Sequence, residues 1–343
     1  MSIDDRKQRV LRAIVRLYSV GGEPVGSGLL AEDFGRAVSS ATLRNEMKAL
    51  EKLGLLEQPH TSAGRVPSAK GYRYYLDHLL AVPGQLPARE RAAVDEAFRE
   101  MDHDPERLAQ SAARALSEWT GYTTVATTPY SRDLCIAHYE VMQVGRCTAA
   151  VLAVTNAGGV HTRTAKLDVA LSAGDVAVLK QVLNETMTFR SAADMGATQL
   201  KEAAQALGSQ GGVLYPVISA AYKLLQEAGK ARVFLEGEEN FLRFTVPGAE
   251  RSFRTLMEFF ANPEAVRRTI SPRTDRTAIL LGDELEDYPL PGFCIMSKRY
   301  VAGGGLTGAI ALVGPVRMPY GEMIPRLEYF ALLLGQCMSG SQR

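Results

Sequence analysis

Ser39-Ser40-Ala41-Thr42-Leu43-Arg44-Asn45-Glu46-Met47-Lys48-Ala49-Leu50-Glu51-Lys52-Leu53-Gly54 reads as one helix with two unlike faces. Leu43, Met47 and Leu50 stand at i, i+4 and i+7, so they line one stripe of a 3.6-residue period and need apolar surface to pack on. The same period puts Ala41, Arg44, Asn45 and Lys48 on the opposite side, with Thr42 at its margin and Lys52 one turn further on. Glu46 and Glu51 fall off that polar face. Ser39 or Ser40 opens the helix, and Gly54 suits the left-handed position just past its end.

Working upstream, Val10, Leu11, Ile14, Val15 and Tyr18 form another helical stripe, which Asp4 or Asp5 can cap and Gly21-Gly22 stops. Ser27 opens a short helix through Leu29, Leu30 and Phe34, and Gly35 ends it. Two short helices joined by about four residues make a helix-turn-helix. Downstream, Leu55-Leu56-Glu57-Gln58 and Val66-Pro67 read as strands on either side of the polar loop Pro59-His60-Thr61-Ser62-Ala63-Gly64-Arg65, which is what a wing requires. Ser68 can cap a closing helix, where Tyr72, Leu76 and Leu79 repeat at i, i+4 and i+7.

The polar face suits the edges of base pairs. Arginine can bond guanine through two hydrogen bonds and asparagine can do the same with adenine, while serine, threonine or lysine can reach bases or phosphates. Ser40, Thr42, Arg44, Asn45 and Lys48 are the candidates on the helix, with Ser39 reserved as a cap. In the loop the candidates are His60, Thr61, Ser62 and Arg65, whose guanidinium could follow a phosphate backbone or enter a minor groove. Such faces also occur on helices that are merely solvated. Charge leans toward the first reading, because residues 1–80 hold 12 basic and 9 acidic side chains, leaving 27 and 29 to residues 81–343. A total charge of +1 thus conceals a basic amino-terminal end.

The full chain of 343 residues is 46% hydrophobic, which is apolar material enough for two or three domains. No uncharged apolar run approaches the roughly 20 residues needed to cross a bilayer, and the first ten residues lack the core of a signal peptide. A cytoplasmic protein with no membrane partner is expected. Cys135, Cys147, Cys294 and Cys337 are too scattered for a zinc ribbon or a disulfide scaffold. The five histidines form no metalloprotease pair, and Gly303-Gly304-Gly305 lacks the lysine of a phosphate loop, so it reads as a hairpin turn. No nucleophile elbow accompanies a triad. Neither an enzyme nor a cofactor is therefore expected; a sensor with a small-molecule ligand is the competing reading.

Pro83-Gly84-Gln85-Leu86-Pro87 is the clearest linker. Helical patterns at 88–101 and 105–119 follow it, then strand-like text at 122–127, 136–144, 148–154 and 160–167 and a helix at 172–187. Helices are expected at 197–207, 213–229, 251–261 and 263–269, with short strands at 232–235 and 241–246. Strands at 277–281, 293–300 and 306–313 and a helix at 320–338 complete an α+β multidomain chain.

Several stretches are specific enough to carry a resemblance. Gly22-Glu23-Pro24-Val25-Gly26-Ser27, Val38 to Met47, Leu53 to Pro67 and Lys70-Gly71-Tyr72-Arg73-Tyr74-Tyr75-Leu76-Asp77 closely resemble the heat-inducible transcription repressors of the HrcA family. Phe234-Leu235-Glu236-Gly237 and Gly314-Pro315-Val316-Arg317-Met318-Pro319-Tyr320 extend the likeness more loosely to the C-terminus. Many relatives have Gly-x-Glu-Asn where this chain has Gly282-Asp283-Glu284-Leu285.

The resemblance implies a homodimeric repressor that binds double-stranded DNA at the CIRCE inverted repeat ahead of groE- and dnaK-type chaperone operons. It also implies that the GroEL chaperonin maintains its activity until heat diverts the chaperonin to misfolded proteins. The winged helix-turn-helix is expected over 1–82, followed by a generic polar connector over 83–104. The resemblance implies a GAF-like domain over 105–190 and 272–343, split by an inserted dimerisation domain at 191–271. Dimerisation suits an inverted repeat, since two recognition helices related by a two-fold axis read both halves together.

Overall fold

A computed structural model of the chain describes residues 3–60, 63–81, 84–130, 134–156, 159–190, 194–244 and 250–339. The chain divides into two compact units. One comprises Met1–Thr127, Val233–Tyr300 and Ala309–Leu334, the other Thr128–Arg232, Val301–Gly308 and Gly335–Arg343.

The first unit opens with α1 (Asp5–Gly21), α2 (Ser27–Asp33) and α3 (Ser40–Lys52). Asp4 caps α1 by accepting from the Lys7 amide at 2.9 Å, and Gly22 closes it at φ +69°. The stripes expected from the sequence meet, burying Val10, Leu11, Ile14, Val15, Leu30, Leu43, Met47 and Leu50 between the three helices. At about 1.5–3 kcal/mol per large side chain, this small core is the main stabilising term for the segment. The antiparallel ribbon of β1 (Leu56–Glu57) and β2 (Val66–Pro67) follows. Val25 adds a third bridge, with its amide donating to the Arg65 carbonyl at 3.0 Å and its carbonyl accepting from the Arg65 amide at 2.9 Å. A β-carbon on Gly64 would collide with the Val25 backbone, so this close approach requires glycine. Ser68 caps α4 (Ala69–Tyr74) by accepting from the Gly71 amide at 3.0 Å, and the helix widens into a π turn over Tyr75–Leu79.

Residues 84–104 are not a plain connector. They contain α5 (Ala88–Arg99), which buries Val94 and Phe98 and is tied to the last helix, α12 (Tyr320–Met338). Phe98 meets Phe330 edge-on at 5.5 Å, Arg326 donates to Glu90 at 3.0 Å and Tyr329 donates to Asp95 at 2.6 Å. Two apolar anchors in a charged dodecamer suffice once a partner helix carries the remainder of the contact.

After α6 (Pro105–Thr120), β3 (Thr123–Thr127) enters a five-stranded sheet of order β7-β3-β10-β9-β8. The other strands are β7 (Val233–Glu236), β8 (Ala278–Leu281), β9 (Phe293–Val301) and β10 (Thr307–Pro315). Val125, Ile295, Ala309, Ala311 and Val313 pack on α10 (Glu250–Phe260) and α11 (Pro263–Ile270) through Leu256, Phe259, Val266 and Ile270. Their neighbours Thr124, Ala126, Ile310 and Leu312 are buried too, so the sheet is covered on both faces, as its near-continuous apolar strands require.

The second unit is an antiparallel sheet of β4 (Ile136–Gly145), β5 (Thr148–Thr155) and β6 (Val160–Lys166). It is backed by α7 (Ala173–Thr186), α8 (Ala197–Ala206) and α9 (Gly211–Ala228). Tyr139, Val141, Val151, Ala153 and Ala165 face Leu179, Leu183, Val217, Ala221 and Leu225 across one core.

The insert expected at 191–271 is therefore misplaced. Residues 194–232 belong to the core of β4–β6, whereas 233–244 and 250–270 return to the five-stranded sheet. Apolar periodicity marks a buried face but does not say which sheet buries it. The strand expected at 241–246 also fails within the described residues. Glu238–Arg243 is a 3₁₀ turn, with Gly237 at φ +73° and Asn240 donating to Ser117 at 3.1 Å. Residues 245–246 lie outside the description.

Candidate nucleic-acid interface

The site is built on α3. Ser39 takes its expected capping place, its hydroxyl accepting from the Thr42 amide at 3.1 Å and lying 2.9 Å from the Thr42 hydroxyl. That contact leaves Thr42 half-buried against the cap, while Ser40, Ala41, Arg44, Asn45 and Lys48 are exposed. With Leu43, Met47 and Leu50 anchored in the core, these side chains project together from the first two turns of the helix, and Lys52 is exposed further on.

The helix's acids are turned to other uses. Glu46 lies 3.3 Å from the Lys7 ammonium and 3.9 Å from the Arg6 guanidinium, tying α3 to the start of α1. Glu51 accepts from Arg65 Nε at 3.0 Å and lies 2.9 Å from its Nη2. Both carboxylates are thus paired away from the polar face, which presents the charges of Arg44, Lys48 and Lys52.

The loop lies only partly within the described residues. His60 is exposed at its start, and Gln58 braces it by donating to the Ala63 carbonyl at 3.1 Å. Thr61 and Ser62 lie outside the described residues. Arg65, expected to reach outward, instead folds back onto Glu51 with only 13% of its side chain exposed. The reason is local: Arg65 sits inside the three-stranded pairing with Val25, and the nearest carboxylate is on the last turn of α3.

Sequence reasoning missed three residues that hold this arrangement. Glu51 was set aside as merely off the polar face. Lys70 donates to the Leu53 carbonyl at 3.0 Å, closing the C-terminal end of α3, and Ser68 donates to the Gly54 carbonyl at 2.6 Å. A basic residue and a hydroxyl after a helix that ends in glycine were the available signal.

Among the described residues no group of His, Cys, Asp and Glu could hold a metal ion, and no helix is long and apolar enough to cross a membrane. Burial pushes the Cys294 thiol up to about 12, so it remains protonated near neutrality.

The chain is similar to known proteins along most of its length. Residues 106–324 match the family model described as the HrcA protein C-terminal domain. The chain is 33% identical to the heat-inducible transcription repressor HrcA of Moorella thermoacetica and 31% identical to that of Desulforudis audaxviator, with 98% of each chain covered in both cases. In fold it is similar to a crystal structure at 2.2 Å resolution of a protein described as hypothetical, with a TM-score of 0.63 and 23% identity over 99% of this chain and 100% of that one. The chain belongs to the HrcA family, whose members are heat-inducible transcription repressors.

Proposed function

We propose that residues 1–81 form a winged helix-turn-helix with α3 as its recognition helix, and that the chain binds the CIRCE inverted repeat of chaperone operons in the cytoplasm as a homodimer. The observation that carries this is the exposed cluster of Ser40, Arg44, Asn45 and Lys48 on one face of α3, with the acids of the same helix paired elsewhere. Asparagine and arginine near a helix N-terminus are matched to adenine and guanine edges in a major groove. Thr42 contributes from the margin and His60, Thr61 and Ser62 from the wing. Arg65 braces the wing in the free protein and reaches phosphate only by leaving Glu51.

In this reading the five-stranded sheet and its helices are the GAF-like domain, and 128–232 is the inserted dimerisation domain. Support comes from the sheet face turned away from α7 and α9. There Met142, Ala150 and Thr164 are paired across the strands, Leu152 is paired with Thr162, and Met142 is 47% exposed. Met142, Ala150 and Leu152 give this mixed face apolar side chains that suit a second copy of the chain. The GroEL chaperonin is the proposed modulator.

A gel-shift titration of purified protein against an inverted-repeat chaperone promoter, with scrambled DNA of equal length, tests the reading. Selective retention of the repeat is expected, and heat-inactivated protein is expected to regain it when GroEL is added. Equal affinity for both duplexes would remove the operator from the proposal, and recovery without GroEL would remove the chaperonin.

A further inference from the structure

Two of the most recognisable stretches, Lys70–Asp77 and Gly314–Tyr320, have no part in the contacts proposed with DNA. Within the first unit Lys70–Asp77 meets the turn at Gly282–Glu284 through Arg73, and Gly314–Tyr320 places Arg317 beside the end of α1. Arg73 Nε donates to Glu284 Oε1 at 2.8 Å, and its Nη2 donates to Glu284 Oε2 at 2.5 Å and to the Ile279 carbonyl at 2.9 Å. Glu284 also accepts from the Leu281 amide at 2.9 Å, so the carboxylate is fixed to the end of β8 before the arginine reaches it. Nearby, Arg317 stands beside Gly22, which caps the end of α1: a β-carbon there would lie 3.3 Å from its guanidinium, at the negative end of the helix dipole. Tyr72, one residue before Arg73, is only 3% exposed, in the electrostatic surroundings of Tyr18, Cys294 and Arg317.

These contacts join α1 and α4, which carry α3, to the five-stranded sheet. The ion pair is about one-third exposed on each side, which makes it a weak source of folding stability. Its geometry has a different consequence, because a planar guanidinium bonded at two points to a carboxylate fixes angle as well as distance. Angle matters at this place. With α3 about 20 Å long, a rotation of about 10° at the junction moves its far end by about 3.5 Å, roughly one base-pair step along DNA.

We propose that Arg73 and Glu284 are positioning residues for operator recognition: their bidentate pair sets the angle of the DNA-binding segment on the sheet and so the half-site spacing a dimer can read. The proposal rests on the dimeric DNA-binding reading above.

The test uses the full-length protein and three duplexes: the inverted repeat with its natural spacer, the same repeat with the spacer changed by one base pair, and a single half-site. Glu284→Ala lies outside the DNA-binding segment, so a change in binding cannot come from a lost DNA contact. About a tenfold loss is expected on the natural repeat, with half-site affinity unchanged within twofold and the preference for the natural spacer flattened. Arg73→Lys keeps the charge but not the two-point bond, and is expected to flatten the same preference with no change in unfolding temperature. A wild-type spacer preference in both variants would overturn the proposal, as would an equal loss on half-site and repeat. If the wild-type protein did not separate the repeat from random duplex, the DNA-binding reading itself would fall, a result recognisable before any variant is made.

Discussion

Arg44 and Arg65 carry the same charge and were both candidates for DNA, yet they stand in different surroundings. Arg44 is exposed on the polar face of α3, so Arg44→Ala is expected to weaken binding to the operator by about 1–3 kcal/mol while leaving stability within about 0.5 kcal/mol. Operator titration at fixed salt, beside urea unfolding, separates the two effects; an unchanged dissociation constant would take α3 out of the groove. Arg65 is mostly buried against Glu51, and Arg65→Ala leaves that carboxylate without its partner. A stability loss of about 1–2 kcal/mol is expected. Because the guanidinium is already engaged, the dependence of log affinity on log salt is expected to keep its wild-type slope. A slope shallower by about one would show instead that Arg65 leaves Glu51 for a phosphate.

At the scale of elements, the amino-terminal helices were legible because each had a capping residue, an apolar stripe and a glycine stop within a few residues. Their packing partners lay within the same short segment. The 3₁₀ turn at Glu238–Arg243 was not legible, because its conformation depends on the distant Ser117 that receives Asn240. Acid should loosen ties within and between elements, of which distance in sequence hid the one from β4 to α7. The Glu140 carboxyl is held below its usual range, first by the hydrogen bond from Lys180 that links β4 to α7. Asp175 is lowered by the Ser172 backbone amide at the start of α7, and Glu264 by Arg267 on α11. Each group's folded pKa lies below its unfolded value. Their stabilising contribution is therefore complete above the ordinary carboxyl range and is lost as pH falls through the lower, folded values. Urea midpoints are expected to be flat with respect to these groups between about pH 5 and 8 and to fall below about pH 4. A midpoint that dropped already between pH 7 and 5 would point to other groups.

For the whole molecule, the two units were harder to read than the elements, since the chain passes from one sheet to the other without a linker signature. It leaves the five-stranded sheet after Thr127 and rejoins it at Val233, and those two residues are register partners in β3 and β7. Antiparallel partners lie about 5 Å apart, so a short turn can join them. The apolar cluster that joins Val125, Ile295 and Val313 to α10 and α11 contains no described residue from 128–232. Replacing residues 129–231 with a glycine-containing turn is therefore expected to leave the winged segment and the five-stranded sheet folded, with one cooperative unfolding transition. The loss would include Tyr130, which pairs with Thr307 in the hairpin that remains. If the removed unit carries the dimer contact, sedimentation should find a monomer, and the inverted repeat should be bound no more tightly than a single half-site. A folded variant that still sedimented as a dimer would place the subunit contact on the five-stranded unit. One that failed to fold would show that the insert supports a core from which its side chains are absent.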